Sequence, residues 1–497
     1  MNNLVEALAS AAVDANRLGY YFDGTEGTYR EIDDLSNQVA NQLKSDGLIK
    51  GDHIAMLMNN GVGFISVLYG IWKIGGVVIP INPTYTKNEI SFILQNAEVK
   101  AVVSIPELEP VLDAIKVEVN SIRKTYFTND QLKALVKSNS SVFSDSVHLN
   151  TDDVAVILYT SGTTGKPKGA LLSHGNLFYN AVDTSKALEI NESDISLVAL
   201  PMFHIFALTV CVGMPIVTKS KMVIMKQFSP KEFLDLTVNQ KVTFFGGVPT
   251  MYNFIYHFIK ENPTAFSTIT HCASGGASLP VALIEAYQKD FGITIQEGYG
   301  LSESAGVVTL NPRKGKIKPG TIGYSIGNYE TKIVNDLGEE VPVGVTGELI
   351  CKGENVFLGY YKLEEETSAT LRNGWLYTGD LAVRDEDGYI SIVDRKKDLI
   401  IVGGYNVYPR EVEEVLYKHH KVVEAGVIGE PNEEYGQKVV AFVVGKDGLT
   451  SEELLAHCKE NLATYKLPRD VIFMNELPKT SSGKILRKNL GSKGAVK

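Results

Sequence analysis

The 497-residue chain lacks the marks of several functional classes. Its four cysteines, Cys211, Cys272, Cys351 and Cys458, lie far apart and form no CxxC pair, so neither a zinc site nor a disulfide framework is predicted. Reduced thiols fit a cytoplasmic protein best. Acidic residues outnumber basic ones, 58 to 48, which argues against nucleic acid as a partner. The N-terminus has no basic segment followed by a long apolar core, so no signal peptide is expected.

Repeats, low-complexity segments and a clear membrane span are also missing from the sequence. The most apolar window, residues 62–81, contains Lys73 and has Pro80 near its end. A buried helix followed by a strand is therefore favoured over a transmembrane helix. A chain of this length is too long for one hydrophobic core and predicts two or more domains.

The sequence does show a regular alternation of element types. Between residues 53 and 296, strand-like and helical segments alternate, which is typical of a parallel sheet with helices on both faces. Only residues 107–145 are expected to be less regular. Beyond Gly320, short strands separated by Gly and Asp predict a small antiparallel barrel or sheet. The residues after the charged segment Asp394–Asp398 predict a small α+β domain.

A glycine-rich loop is the most informative stretch. Residues 159–169 read YTSGTTGKPKG and follow an apolar run, Val154–Tyr159, that predicts a buried strand. Glycines let backbone N–H groups converge on an anion, while hydroxyls and lysines add donors and positive charge. The loop therefore predicts a polyphosphate site, although its spacing is not that of a Walker A loop. A plain surface loop is the ordinary alternative for such a composition.

Three further junctions follow predicted strands, where ligands bind in parallel α/β sheets. Residues 273–277 (ASGGA) would let a flat ring approach the backbone, although a tight turn is the ordinary interpretation. Residues 296–304 (QEGYGLSES) offer an aromatic ring, a hydroxyl and a carboxylate, which suit a nucleotide and its Mg²⁺. In residues 375–380 (WLYTGD), Asp380 can accept hydrogen bonds from ribose hydroxyls, or it is simply a turn residue.

These strings resemble the signature motifs of the adenylate-forming superfamily, which includes acyl-CoA synthetases, firefly luciferases and peptide-synthetase adenylation domains. Residues 477–487 (LPKTSSGKILR) are likewise similar to the family's PKT-x-x-GK ending. The resemblance, closest to bacterial fatty-acid–CoA ligases, implies an α/β fold. Residues 1–394 would form two α/β subdomains plus a small β-barrel, and residues 395–497 a small mobile α+β domain that carries the catalytic lysine.

The resemblance also implies the roles of individual residues. Lys484, Glu303 and His204 would be catalytic, although a hydrogen-bonded core histidine remains an alternative for His204. Mg²⁺ would bind Thr160 and Glu303. The predicted ATP and AMP ligands are Thr160, Ser161, Gly162, Thr163, Thr164, Gly165, Lys168, Gly275, Gly276, Ala277, Glu297, Gly298, Tyr299, Gly300, Ser302, Asp380, Arg395 and Lys484.

Further implied residues concern the acid and the thiol. The acyl wall is expected to consist of Phe203, His204, Leu208, Phe245, Val248, Gly298 and Val307. Gly403, Gly404 and Tyr405 would contact CoA after the C-terminal domain rotates about Lys397. In the family, ATP first converts an acid to acyl-adenylate and pyrophosphate, and a thiol then takes the acyl group.

The sequence favours a fatty-acid–CoA ligase of medium to long chain preference. Within the family, peptide-synthetase adenylation domains place an Asp near the position of Phe244–Phe245 to pair with an amino group, and this chain has none there. Malonyl-CoA synthetases carry an Arg after the VPT segment, here 248–250, to hold the second carboxylate, and this chain again has none. A coumarate-type aryl-acid ligase is an alternative, although residues 347–353 read GELICKG where coumarate ligases have GEICIRG. An acyl carrier protein as acceptor, a homodimer and a nucleotide-sensing regulator also remain open.

Overall fold

The computed structural model describes residues 1–128, 136, 140–144, 147–160, 167–259, 266–480 and 483–491. Within these residues, the strands form two large mixed sheets, a small antiparallel sheet and a separate C-terminal sheet. No helix in this part of the chain is both long and apolar enough to cross a membrane. The α/β fold class predicted from the sequence is confirmed.

The first part of the chain alternates between strands and helices as predicted. Its elements are α1 (Leu4–Ala11), β1 (Leu18–Phe22), β2 (Thr25–Thr28), α2 (Tyr29–Ser45), β3 (His53–Leu57), α3 (Val62–Lys73), β4 (Val77–Pro80), α4 (Lys87–Asn96), β5 (Ala101–Ser104), α5 (Glu109–Lys116), β6 (Lys124–Phe127), β7 (Val154–Thr160) and β8 (Lys168–Ser173). The expectation of irregular structure over 107–145 is wrong in part, because α5 and β6 lie there.

One large sheet carries the glycine-rich loop. β7 is parallel to β4 but antiparallel to β8, with Thr160 opposite Lys168. The predicted polyphosphate loop therefore connects two antiparallel strands rather than a strand and a helix. Residues 155–158 of β7 are buried in the sheet, as the uninterrupted apolar run indicated, whereas Val154 and Tyr159 at its ends are partly exposed.

The second large sheet begins with β1 and β2 and is completed by the middle of the chain. The middle elements are α6 (His174–Leu188), β9 (Ile195–Val198), a π-helical turn (Ala207–Gly213), α7 (Met214–Thr218), β10 (Lys221–Ile224), α8 (Pro230–Gln240), β11 (Phe244–Gly247), α9 (Pro249–Ile259), β12 (His271–Ser274), α10 (Val281–Phe291), β13 (Ile295–Leu301), β14 (Gly306–Leu310) and β15 (Tyr324–Ser325). Because β9, β11, β12 and β13 run parallel, their carboxyl ends share one edge.

A small antiparallel sheet follows, as predicted. The elements of this region are β16 (Glu330–Val334), β17 (Gly347–Lys352), β18 (Gly359–Tyr360), α11 (Glu364–Thr370), β19 (Leu371–Arg372), β20 (Trp375–Arg384) and β21 (Ile390–Arg395). β18 is not part of the small sheet, because it pairs with β8 of the first large sheet. The small sheet is thereby tied to the strand that follows the glycine-rich loop.

The C-terminal sheet has a hydrophobic core of its own. Its region consists of β22 (Ile400–Val402), β23 (Tyr405–Val407), α12 (Pro409–Tyr417), β24 (Val422–Asn432), β25 (Gly436–Gly445), α13 (Ser451–Asn461) and β26 (Asp470–Phe473). The chain after β26 returns as a loop to the edge where β11 and β12 end, since Thr250 donates a hydrogen bond to the Gly483 carbonyl over 3.2 Å. The domain boundary after residue 394 stays a prediction.

Candidate active site

A single cavity of about 1350 Å³ lies where the two large sheets, the small sheet and the C-terminal segment meet. It brings together predicted site residues that are far apart in the sequence. The predicted residues on its wall are Thr160, Lys168, Phe203, His204, Val248, Gly275, Gly276, Ala277, Glu297, Gly298, Tyr299, Gly300, Ser302, Glu303, Val307, Asp380, Arg395, Lys397 and Lys484.

Two predicted acyl-wall residues are not on the cavity wall, and that prediction is corrected. Phe245 is fully buried in β11, where its ring packs against Phe233 and Tyr252. Leu208 is buried in the π-helical turn as part of the main hydrophobic core. Alternation along a strand and the widened helical turn direct these side chains into the core, and the cavity is instead bordered by Phe206 and Val210.

Other predicted residues lie elsewhere. Ser161, Gly162, Thr163, Thr164 and Gly165 fall outside the described residues. Gly403 and Gly404 form the turn between β22 and β23, with φ angles of +57° and +85° that favour glycine. Tyr405 follows them and stacks on Tyr465, with the ring centroids 4.9 Å apart. This exposed hairpin is not part of the cavity wall.

A carboxylate–phenol–guanidinium group marks one side of the cavity. The Tyr299 hydroxyl donates to Asp380 Oδ2 over 2.6 Å, and Arg395 Nε lies 3.3 Å from Asp380 Oδ1. Asp380 and Arg395 face each other across β20 and β21. Burial and the adjacent Asp380 raise the pKa of Tyr299, so it stays a neutral donor. Asp380 is thus held in place with lone pairs left to accept from a ribose.

Residues 296–304 differ from their predicted loop form. β13 runs on through Tyr299 and Gly300 to Leu301, and it pairs with β14 after a register shift at Gly300. A Cβ on Gly300 would lie 1.5 Å from the Gly306 carbonyl oxygen, so only glycine fits this strand crossing. Ser302 and Glu303 follow in a short 3₁₀ turn. The motif is therefore a rigid strand end that presents Tyr299 and Glu303 to one cavity.

Tyr360 is a site residue that the sequence analysis missed. Its hydroxyl donates to Glu303 Oε1 over 2.8 Å, and the Lys168 ammonium lies 5.4 Å from its ring centroid. The ring is positioned because β18 pairs with β8 opposite Ala170. The only indication in the sequence was the pair of tyrosines in the GYYK string, residues 359–362. The pairing of β18 with a distant strand could not be read from that string.

Glu297 lies buried beside the double-glycine turn. Its Oε1 accepts from the Leu279 backbone N–H over 3.1 Å, whereas Oε2 has no partner in the described structure. Burial raises the pKa of Glu297 to about 7, and Arg410, 3.8 Å away, opposes that rise. Gly276 has a φ of +81°, and a Cβ there would touch Val248 at 3.5 Å. The double-glycine turn and Val248 are thus neighbours on the cavity wall.

The segment that carries Lys484 lies against Val248 and Thr250, next to the double-glycine turn. Gly483 has a φ of +84°, and a Cβ there would lie 2.7 Å from Thr250 Oγ1 and 3.1 Å from Val248. Burial and the nearby Arg395 lower the pKa of Lys484 to about 8, against the opposing effect of Asp380. A lysine with this pKa is mostly charged at neutral pH and is placed to meet an anion in the cavity.

His204 is close enough to Lys484 to respond to its charge. Burial, with a smaller contribution from Lys484, lowers the pKa of His204 to about 4. The Phe206 backbone N–H points to its Nδ1 over 3.4 Å. The ring is therefore neutral at physiological pH and can orient a substrate by hydrogen bonding rather than by charge.

Comparisons with known proteins agree with this arrangement. The family described as AMP-binding enzyme matches residues 8–361, and the AMP-binding enzyme C-terminal domain matches residues 411–484. A long-chain-fatty-acid–CoA ligase of Bacillus subtilis (strain 168) is 36% identical over 97% of this chain and 92% of that protein. A 2-succinylbenzoate–CoA ligase of Geobacillus sp. (strain WCH70) is 35% identical over 97% and 95%.

A solved relative shows the same architecture. The ATP-bound MatB structure from Rhodopseudomonas palustris has a TM-score of 0.93 at 32% identity, over 99% of this chain and 98% of that chain. The apo structure of the same protein has a TM-score of 0.83. This chain therefore belongs to the AMP-binding, or adenylate-forming, enzyme family, and it is an AMP-forming acid–CoA ligase.

Proposed function

We propose that this enzyme activates an unbranched fatty acid of medium to long chain length and transfers it to CoA. In the first half-reaction, a carboxylate oxygen bonds to the α-phosphorus of ATP and the bond from that phosphorus to pyrophosphate breaks. In the second, the CoA thiol loses its proton, its sulfur bonds to the acyl carbon, and AMP leaves. The substrate carboxylate is itself the nucleophile, so no side-chain nucleophile is needed.

The apolar side chains beside the Lys484 loop are the observation that carries this proposal. Phe203, Phe206, Val210, Val248 and Val307 all border the cavity. A Cβ on Gly275 would lie 3.4 Å from the Phe206 ring, and Val248 lies between Gly276 and Gly483. An aliphatic tail against these side chains would therefore place its carboxyl group next to the lysine and the nucleotide turn. Each buried methylene contributes ~0.8 kcal/mol, so the wall selects chain length by modest factors.

Positive charge supplies the proposed catalysis of the first step. Attack of one anion on another is opposed by repulsion, and preorganised charge is usually the largest single contribution to such a rate. Lys484 would meet the carboxylate and the α-phosphate, while neutral His204 would orient the acid. Tyr299 would lie against adenine, Ser302 would touch the α-phosphate, and Asp380 with Arg395 would hold the ribose.

Mg²⁺ would arrive with ATP. Among the described residues, no group of three or more His, Cys, Asp or Glu side chains could hold a metal alone. One carboxylate and one hydroxyl, from Glu303 and Thr160, suit a hard cation that keeps phosphate oxygens as its other ligands. The bound ion would neutralise phosphate charge. The hydrogen bond from the Tyr360 hydroxyl to Glu303 Oε1 restricts the orientation of this carboxylate, which would support such a role.

The thiol step would use the exposed hairpin. Gly403, Gly404 and Tyr405 lie outside the cavity wall, whereas Lys484 borders it. We therefore propose that the present arrangement serves adenylation, and that rotation of the C-terminal segment about Lys397 brings the hairpin to the cavity for CoA. Gly403 and Gly404 carry no side chains, so the hairpin would leave a narrow passage for pantetheine once it reached the cavity.

The test measures pyrophosphate release and acyl-CoA formation over a panel of acids, each with and without CoA. Straight-chain fatty acids of medium to long length should give the highest kcat/KM, and acyl-CoA should form only when CoA is present. Turnover that requires an acyl carrier protein instead of CoA would contradict the proposal that CoA accepts the acyl group. ATP binding without acid-dependent pyrophosphate release would contradict the enzyme activity as a whole.

An aryl-acid–CoA ligase is the second candidate. The 2-succinylbenzoate–CoA ligase relative matches this chain almost as closely as the fatty-acid relative, at 35% against 36% identity. 2-Succinylbenzoate and coumarate therefore belong in the same panel. A kcat/KM for either acid above that of every fatty acid would replace the fatty-acid proposal with this one.

A further inference from the structure

Asp394 is a buried carboxylate that the proposed chemistry does not use. It lies in β21, opposite Leu381 of β20, and is therefore fixed to the small antiparallel sheet. Only 3% of its surface is exposed. It stands three residues before Lys397, the proposed hinge. An ionised group in such a place needs strong partners, because burial of a charge is costly unless it is paired and hydrogen-bonded.

The partners of Asp394 come mainly from beyond the hinge. The Arg410 backbone N–H donates to Asp394 Oδ2 over 2.8 Å, and Arg487 Nη1 donates to Oδ1 over 3.1 Å. Arg410 is in the first turn of α12, and the N-cap residue of that helix, Tyr408, makes no side-chain capping bond. Asp394 thus supplies, from the other side of the hinge, the carboxylate that helix N-termini favour.

Both arginines extend this contact towards the active site. The Arg410 side chain donates from Nη1 to the Ile392 carbonyl over 2.6 Å and brings Nη2 to 3.8 Å from Glu297. Arg487 is three residues after Lys484 and binds Glu413 with two hydrogen bonds of 3.1 and 2.7 Å. The Asp394 carboxylate is therefore bound to the 3₁₀ turn that follows Lys484 and to helix α12, whose Arg410 reaches Glu297.

We propose that Asp394 is a positioning residue that holds the C-terminal segment in the adenylating orientation and thereby keeps Lys484 in the cavity. The proposal rests on the proposed function, because it assumes rotation about Lys397. Such a rotation would leave Asp394 with the small sheet and carry Arg410 and Arg487 away from it. The pair between Arg487 and Glu413 would travel intact. Asp394 therefore stabilises one orientation only, whereas Glu413 stabilises the moving segment in both.

Kinetics of the two half-reactions separate these roles. Asp394→Asn keeps the shape of the side chain and removes its charge, and loss of a charge-assisted hydrogen bond corresponds to about a tenfold shift between orientations. Acid-dependent pyrophosphate release should therefore fall about tenfold. Thioester formation from preformed acyl-adenylate should be unchanged or faster. Glu413→Gln, the matched control, should leave the ratio of the two rates as it is in the unmodified enzyme.

Equal losses in both half-reactions of Asp394→Asn, accompanied by a lower melting temperature, would overturn the proposal in favour of a structural role. A change in the ratio for Glu413→Gln as large as that for Asp394→Asn would also overturn it, since the effect would then belong to Arg487 in general. A fall in pyrophosphate release alone, with the melting temperature unchanged, supports the proposal.

A cross-link measures the orientation without any substrate. Asn253 Nδ2 donates to the Val423 carbonyl over 3.3 Å, across the boundary between α9 and the C-terminal sheet. The four native cysteines are free and buried, so a disulfide between Asn253→Cys and Val423→Cys can be followed selectively. Asp394→Asn in this background should slow the disulfide about tenfold. An unchanged rate would overturn the proposal, and because no acid is needed, this result is independent of whether the fatty-acid function fails.

Discussion

At the scale of the residue, the proposed adenylation depends on the charge of Lys484. The lysine lies between Arg395, which disfavours its proton, and Asp380, which favours it. In the absence of nucleotide, burial brings its pKa close to neutral pH. A bound nucleotide phosphate would stabilise the charged form of Lys484. The same ammonium group would therefore contribute both to nucleotide binding and to the proposed catalysis.

Replacement of Lys484 by alanine should separate the two half-reactions. Acid-dependent pyrophosphate release should fall by about a hundredfold or more, because one preorganised positive charge is lost from the transition state. Thioester formation from preformed acyl-adenylate and CoA should survive within a few-fold, because the proposed second step uses the other orientation. Single-turnover measurements with isolated acyl-adenylate check this, and an equal loss in both steps would contradict the assignment.

The pH profile of adenylation should report the same lysine. Below a pH of about 8, Lys484 holds its proton, and as the pH rises through that value the charge is lost. The kcat/KM for pyrophosphate release should therefore decline above pH 8, because this quantity reports groups of the free enzyme. Lys484→Arg keeps the charge, so in this variant the falling limb should move to higher pH. If kcat/KM declines at the same pH in the unmodified enzyme and in Lys484→Arg, the decline belongs to a group other than Lys484.

Tyr360 should control the use of Mg²⁺. Tyr360→Phe removes the 2.8 Å hydrogen bond to Glu303 and leaves the ring in place. Loss of such an outer partner should raise the Mg²⁺ concentration for half-maximal adenylation about tenfold. Tyr361→Phe is the matched control, because Tyr361 packs on His53 away from the cavity wall. If both variants need the same Mg²⁺ concentration, Tyr360 does not orient a metal ligand.

Most residues that border the cavity could be predicted at this scale, because the motifs that carry them follow strands and offer side chains suited to phosphate, ribose or metal, while their roles stay predictions. Leu208 and Phe245 could not be placed, because the direction of a side chain depends on strand alternation and on a widened helical turn. Tyr360 was missed because its position comes from the pairing of β18 with β8, which joins residues far apart in the sequence.

At the scale of the element, β13 shows why the motif at 296–304 is rigid. From the sequence, the strand is expected to end at Gln296 and a loop to follow. In the structure Gly298 and Gly300 remain in the strand, where they allow β14 to cross closely. The short elements α5 and β6 were missed for a related reason, since a polar segment carries a weak periodic signal.

Gly300→Ala should destabilise the protein through this crossing. The added Cβ would lie 1.5 Å from a backbone oxygen, so the strands must separate, at a cost of about 2–3 kcal/mol. Gly24→Ala is the control, because Gly24 has a φ of +80° with nothing within 4 Å of the new Cβ. Backbone strain alone should cost it about 1 kcal/mol. Urea unfolding measures the free energy of unfolding of both variants. An equal decrease in the two would mean that the close approach of β13 and β14 does not restrict residue 300 to glycine.

At the scale of the whole molecule, catalysis depends on the meeting of separate bodies. The two ends of the glycine-rich loop (Thr160 and Lys168), the strand ends of the second large sheet, the small sheet and Lys484 belong to different parts of the fold, yet they border one cavity. The position of the junctions at the carboxyl ends of predicted parallel strands suggested a shared crevice, and the resemblance to a known family added Lys484 to it. The orientation of the C-terminal segment could not be predicted, because it depends on contacts such as those of Asp394 and Thr250 across the boundary.

The most direct test of a single shared cavity is inhibition by a stable analogue of the adenylate, dodecanoyl-sulfamoyl adenosine. Its inhibition constant should be at least about a hundredfold lower than that of AMP, because one molecule would fill both the nucleotide and the acyl sides. Inhibition should be competitive with ATP and also competitive with the fatty acid. If it competes with ATP but is noncompetitive with the acid, the acid binds elsewhere and the proposed site is wrong.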